Sequence, residues 1–455
     1  MQTSDFTLHP DSLAGSTTLR RWLYLAVATL AISGIAPLIL LAGRASMFAE
    51  KTMIKTLFHE ALVVHVDLSV LAWFLGIALL FWSLLTQGRP SPILYSRGAA
   101  QGCFLAGCLC IAFAPFMGNG TALMSNYIPV YTGPLFFLGL SLLFAALVLG
   151  LVSLLTLPAD KDHPAPLRFA VYGSAYIIFL ALVYFVWSWL RLDNTGTQDY
   201  YETLFWAGGH TLQLAYTQLL LLAWLWLASA SSIRIALKPA PLAALFLLYP
   251  LFATAGAYAF LDGSIPYNLH FFTTQMRHGG GFPTGLLGLY ILYTWLGSAK
   301  AATPAQRTLR IVLGTSFFVF ATGGIIGFII RDSNTIIPAH YHGSIVGTTL
   351  AFMGVIYALL PKLGLADVLD RKLTRAQPLL YGGGSVIHAL GFAIAGSYGA
   401  ARKTVGVMEN VPEAATSAMK MARHGGSLAV VGGMLFVIMI LISIKRAKTL
   451  RNAAS

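Results

Sequence analysis

Charge is the first thing this sequence lacks. Only 10% of its 455 residues are Asp, Glu, Lys or Arg, against roughly 25% in soluble domains. Acidic residues are the scarcer kind, 16 against 29 Lys and Arg, which leaves a formal net charge of +13. Cysteine is nearly absent. Cys103, Cys108 and Cys110 all fall in one apolar run, which argues against a disulfide framework. No C-x-x-C-H motif exists, so covalent attachment of a c-type haem is excluded. Low-complexity segments are missing, long polar loops are few, and no two histidines are adjacent anywhere.

What is present is apolar. Hydrophobic residues make up 57% of the chain, and the mean hydropathy is +0.73. Runs of about 20 apolar residues, enough to span roughly 30 Å of hydrocarbon, recur throughout. The expected fold is an all-α integral membrane protein of twelve transmembrane helices: 21–43, 58–86, 97–117, 131–156, 168–190, 203–230, 240–262, 280–298, 307–330, 338–361, 375–398 and 419–445. Residues 1–455 read as a single domain. An even count puts both termini on one side. The segments expected there carry 19 of the 29 Lys and Arg residues, so both termini are expected in the cytoplasm, with the chain in the inner (cytoplasmic) membrane. Orientation thus accounts for most of the net charge, and no nucleic-acid partner is implied. The polar N-terminus gives no sign of a cleavable signal peptide.

Eleven histidines occur. His9 and His163 belong to cytoplasmic segments. His59, His65, His210, His270, His278, His340, His342, His388 and His424 nearly all fall in the outer half of the membrane or at its outer edge. Ionisable residues in a membrane are costly and usually line a site or pathway, so a shared cofactor layer is expected. The stretch "PAHYHGSIVG" is the most informative. On an α-helix, residues two apart subtend about 200°, so His340 and His342 point to opposite faces. They are unsuited to sharing one metal and suited to holding two centres on either side of one helix. Imidazole is a common axial ligand of haem iron, and Gly343 and Gly347 are expected to let flat macrocycles approach the backbone.

With these residues the chain resembles subunit I of the haem–copper oxidase superfamily, which includes the nitric oxide reductases and whose tenth span carries H-x-H. The resemblance implies two haems: a high-spin haem on His340 and a low-spin bis-His haem between His342 and His65 of "FHEALVVHVDLSVLAWFLG". His59 is the weaker second candidate in that span. It implies a first ligand to a non-haem metal, iron or copper, at His210 of "FWAGGHTLQLAYTQ". It also implies a basic pair for the haem propionates, Arg402 and Lys403, in "GSYGAARKTVG". Electrons would come from a partner subunit, a cytochrome c or a cupredoxin, and the chain would work within a hetero-oligomer bathed in membrane lipid.

The sequence departs from that family in two places. The seventh span lacks the family's His-His. This leaves Asp262, His270 and His278 as the candidates that would complete a metal site with His210. The tyrosine that oxygen-reducing members join to their first histidine ligand is missing. Leu214 stands four residues after His210, and only Gln213, three residues on, shares its face. O–O cleavage takes four electrons, one of them from that tyrosine; coupling two NO molecules takes two. The expected activity is therefore reduction of NO to N2O, with His340, His210 and Gln213 at the reacting centre. O2 reduction with proton translocation is the first alternative, and a non-catalytic dihaem electron-transfer subunit the second. Tyr290, Tyr293 and Thr294, on one helical face, form a candidate proton relay from the cytoplasm.

Overall fold

The computed structural model describes residues 6–8, 16–43, 52–86, 94–156, 163–261, 263–403 and 412–454. Fifteen α-helices follow one another among them. They are α1 (Ser16–Ser33), α2 (Ala36–Gly43), α3 (Thr52–Val66), α4 (Trp73–Leu85), α5 (Leu94–Phe113), α6 (Pro134–Thr156), α7 (Ala165–Arg191) and α8 (Gln198–Ala230). Then come α9 (Pro239–Ala255), α10 (Ile265–Gly279), α11 (Phe282–Leu296), α12 (Pro304–Phe328), α13 (Ile336–Leu359), α14 (Lys372–Ser397) and α15 (Glu413–Ala454). A π-helical stretch, Asp67–Ala72, joins α3 to α4. Two short strands, β1 (Ala122–Leu123) and β2 (Val130–Tyr131), pair antiparallel between α5 and α6.

Among the described residues, eleven helices are long and apolar enough to cross a membrane. The difference from twelve lies in the eighth expected span, 280–298. There the helix formed, α11, is only 15 residues long, and Gly280 and Gly281 part it from α10, which fills residues expected to lie between two spans. Pro283 explains the break: it cannot donate to the carbonyl four residues back, and its ring clashes with that carbonyl.

The chain packs as two compact units. One comprises Met1–Ile32, Val63–Ser229 and Arg234–Gly297. Its centre is α8, buried along almost its whole length as a helix enclosed by others is, with His210 and Gln218 among its buried residues. The outward faces of α5 and α6 carry exposed Leu105, Leu109, Phe144 and Val148, the composition expected of a lipid-facing surface. Between α5 and α6 a Cβ on Gly107 would lie 2.9 Å from the Gly139 carbonyl, so small residues set this crossing. In α9, Pro250 leaves the Phe246 carbonyl without its helical donor. Buried Gln218 of α8 supplies one, donating Nε2–H to that oxygen at 2.9 Å. A kink in hydrocarbon persists only when such a freed group is paired again.

The second unit comprises Ser33–Leu62, Ala230–Ile233 and Ser298–Ser455. Here α12 meets α13, and α14 meets α15, through glycines at which any side chain would strike the opposing backbone: Gly323 against Ser344, and Gly384 against Ala429. Ser316 of α12 donates to the Gly347 carbonyl at 2.6 Å.

Candidate functional site

In the second unit, the start of α13 is tied to the chain after α14. Asn334 and Ala401 form a β-bridge. The Thr335 amide donates to the Ala400 carbonyl at 3.0 Å, and the Thr335 hydroxyl to the Phe392 carbonyl at 2.9 Å. His340 and His342 occupy the first two turns of this anchored helix, where the alternation of the sequence places them. His340 donates its Nδ1–H to the Gly323 carbonyl of α12 at 2.7 Å. His342 donates its own to the Pro338 carbonyl, one turn back, also at 2.7 Å. Each bond fixes the tautomer and leaves Nε2 as the lone-pair nitrogen. This is the way metal-ligating histidines are usually oriented, and the pair fits two haem irons on opposite faces of one helix.

The neighbourhood holds those rings in place. A Cβ on Gly327 would sit 2.7 Å from Nδ1 of His340, so the imidazole lies against bare backbone. The ring of His388 from α14 meets His342 edge-on at 4.6 Å between centroids, with Phe392 at 5.8 Å. His388 is itself fixed by a 2.6 Å bond from Nδ1 to the Ala422 carbonyl. Sequence reasoning placed His388 in the histidine layer without assigning it a partner. The roles expected of Gly343 and Gly347 are corrected: they accommodate α12, meeting Gly323 and Phe320, rather than a macrocycle. Arg402 and Lys403 are half-buried at the same end of this unit. Arg402 donates Nε–H to Ser333 at 3.0 Å, and Lys403 adopts a left-handed φ of 60°.

In the first unit, His65 ends α3 half-buried, and Ser69 donates to its carbonyl. Two residues on, in the π-helical stretch, the Asp67 carboxylate is wholly buried, and neither oxygen has a hydrogen-bond partner among the described residues. His59, which belongs to the second unit, is half-buried beside Phe58.

His210 is buried in α8. Its Nδ1–H donates to the Trp206 carbonyl at 2.9 Å, and its Nε2 accepts the Tyr127 hydroxyl at 2.8 Å. Tyr127 sits between β1 and β2 with φ of 66°, and its ring covers Gly209, where a Cβ would strike it. Asn126 donates to Glu202, and the Met124 amide to Gln198 at 3.3 Å, pinning this loop to the first turns of α8. Burial and the nearby Glu202 charge hold the Tyr127 phenol well above its ordinary pKa, so it is the donor. No sequence motif marks Tyr127; its place depends on how the loop between α5 and α6 folds.

The other residues expected to complete a metal site do not gather around His210. His270 and His278 are exposed, and it is buried Phe272 of α10 that faces the His210 ring, at 6.3 Å. Gln213 is half-buried one turn further along α8. Asp262 lies outside the described residues. Among those described, no three His, Cys, Asp or Glu side chains are grouped so as to hold a metal ion. The donor set among the described residues does not fit a non-haem metal. The hydroxyl relay on α11 is not assembled either. Tyr290 accepts from the Ala236 amide at 2.9 Å, Thr294 donates to its own helix at Ile291, and Tyr293 is 76% exposed.

The family model described as cytochrome C and quinol oxidase polypeptide I matches residues 17–435. An uncharacterised protein of Rickettsia prowazekii (strain Madrid E) is 30% identical, over 94% of this chain and 95% of its own. An uncharacterised protein of Aquifex aeolicus (strain VF5) is 25% identical, over 77% of this chain and 86% of its own. A solved heme-copper terminal oxidase dimer shares the fold, with a TM-score of 0.67 at 15% identity, over 95% of this chain and 84% of that one.

Proposed function

The chain belongs to the cytochrome c and quinol oxidase polypeptide I family, and from that premise we propose that it is the haem-bearing subunit of a membrane terminal reductase that converts NO to N2O. The observation that carries this reading is the pair of imidazoles on α13. His340 and His342 are two residues apart, and each gives its Nδ1–H to a carbonyl, so that the lone pair a haem iron would use is on Nε2. In this reading His342 and His65 hold a low-spin haem, and His340 holds a high-spin haem. Bound there, haem would supply one-electron chemistry and, on the His340 side, the binding of a diatomic gas.

The chain's own residues orient and enclose. The Gly323 and Pro338 carbonyls fix the tautomer of the two imidazoles and aim their rings. His388 and Phe392 limit rotation of the His342 ring. Arg402 and Lys403 stand as charge-assisted partners for propionates. The electron donor is a partner subunit, a cytochrome c or a cupredoxin, in a hetero-oligomer of the cytoplasmic membrane, with both termini on the cytoplasmic side. Joining two NO molecules takes two electrons, which one haem held by His342 and His65 and another held by His340 would together supply. This supports NO over O2, which needs four.

A second reading, O2 reduction, is favoured by one observation: a tyrosine hydroxyl does reach His210, from Tyr127 rather than from position 214. Gas-phase assay of the purified protein with an artificial reductant separates the two. Anaerobic NO loss with matching N2O supports the proposal. Rapid O2 uptake with negligible N2O overturns it.

A further inference from the structure

We infer that His210 is the acceptor half of a built Tyr127–His210 hydrogen bond rather than a metal ligand, and that this chain carries no transition metal outside haem. This departs from what the family implies. It does not depend on which gas is reduced.

Three independent observations carry it. The first is the ring itself: both nitrogens are engaged, Nδ1 with the Trp206 carbonyl at 2.9 Å and Nε2 with the Tyr127 hydroxyl at 2.8 Å. A metal at either nitrogen would have to displace a buried hydrogen bond and leave its former partner unsatisfied.

The second is that the seat of Tyr127 is made for it. A bulky residue at φ of 66° is a backbone outlier, and such strain persists only where the surroundings over-determine it. Here they do. The β1–β2 hairpin fixes the loop ends, and Asn126 and Met124 are held by Glu202 and Gln198. The Ser125 hydroxyl closes the loop on the Ile128 carbonyl at 2.7 Å. Gly209, immediately before His210, leaves the space that the phenol ring fills. The sequence thus uses one residue type at 209 and a strained one at 127 to bring a hydroxyl to a single nitrogen.

The third is the missing company. An open metal site takes three protein ligands. The imidazoles at 270 and 278 are exposed, while α10 presents Phe272 to His210. Asp262, outside the described residues, would make only a second ligand. A Tyr–His pair in an aromatic wall of Trp206 and Phe272 is a complete arrangement without an ion.

The test is metal analysis of the detergent-purified protein, from cells grown with excess copper and iron, alongside haem quantified chemically. Iron equal to haem with no copper is the expected result. Stoichiometric copper or non-haem iron overturns the inference, whether or not His210→Ala removes it. Protein without any haem would overturn the proposed function instead, and the copper and iron content would still decide this one. The pair has its own readout. In infrared difference spectra of wild type minus Tyr127→Phe, the phenol C–O band should be that of a donor. It should shift in His210→Ala, and an unshifted band would show that the two side chains are not bonded.

Discussion

Gly327 lies against the His340 imidazole so closely that a methyl group at its Cα would stand 2.7 Å from Nδ1. This contact keeps the ring directed at the Gly323 carbonyl, one turn away on the same helix. Gly327→Ala should therefore break that bond, at about 1–3 kcal/mol for a buried group left unpaired, and tilt the ring. The expected outcome is a smaller fraction of haem that binds CO, with the low-spin spectrum unchanged. Wild-type CO binding in the variant would show that the contact does not orient His340.

Removal of His65 tests the other haem. His65→Ala should erase the low-spin optical signal and leave CO binding in place, whereas His340→Ala should do the reverse. A low-spin signal surviving in His65→Ala would assign that ligand to another residue.

Gln218 allows a measurement free of any cofactor. Gln218→Leu leaves the Phe246 carbonyl unpaired in hydrocarbon and should cost about 1–3 kcal/mol. In a Pro250→Ala background, residue 250 regains its amide and can serve that carbonyl, so the same substitution should cost much less. Thermal unfolding in detergent across the four proteins reads the difference. Equal losses in both backgrounds would refute the pairing.

Gly209→Ala probes the seat of Tyr127. Its added methyl meets the phenol ring, and overpacking of this kind costs about 1–3 kcal/mol. A lowered Tm is expected, and Tyr127→Ala in the same chain should restore part of it by emptying the collision site. No recovery in the double variant would place the clash elsewhere.

The parts of this fold that could be read in advance are those set by composition and period. Long apolar runs give the spans, because lipid leaves the backbone no choice but helix. The opposed directions of His340 and His342 follow from helical geometry alone. The start of α11 falls close to the expected 280, where Pro283 beside Gly280–Gly281 marks it, but α10 was not legible, because Asn268, His270, Gln275, Arg277 and His278 interrupt its apolar residues. Gly343 and Gly347 were misread because a glycine in a helix announces a close approach without saying to what; α12 is the answer. Tyr127 was out of reach, since its meeting with His210 joins residues 83 apart through a loop with no periodic signal. His388 showed as an intramembrane imidazole, but its contact with His342 depends on how α13 and α14 cross.

The π-helical stretch Asp67–Ala72 has a consequence for how this membrane helix can change. Widening one turn by a residue offsets everything upstream from everything downstream by about 100°. The direction of the His65 imidazole is thereby uncoupled from the packing of the Trp73–Leu85 half. Deleting a single residue within 67–72 would swing the imidazole round the axis while both flanking helices kept their own hydrogen bonds.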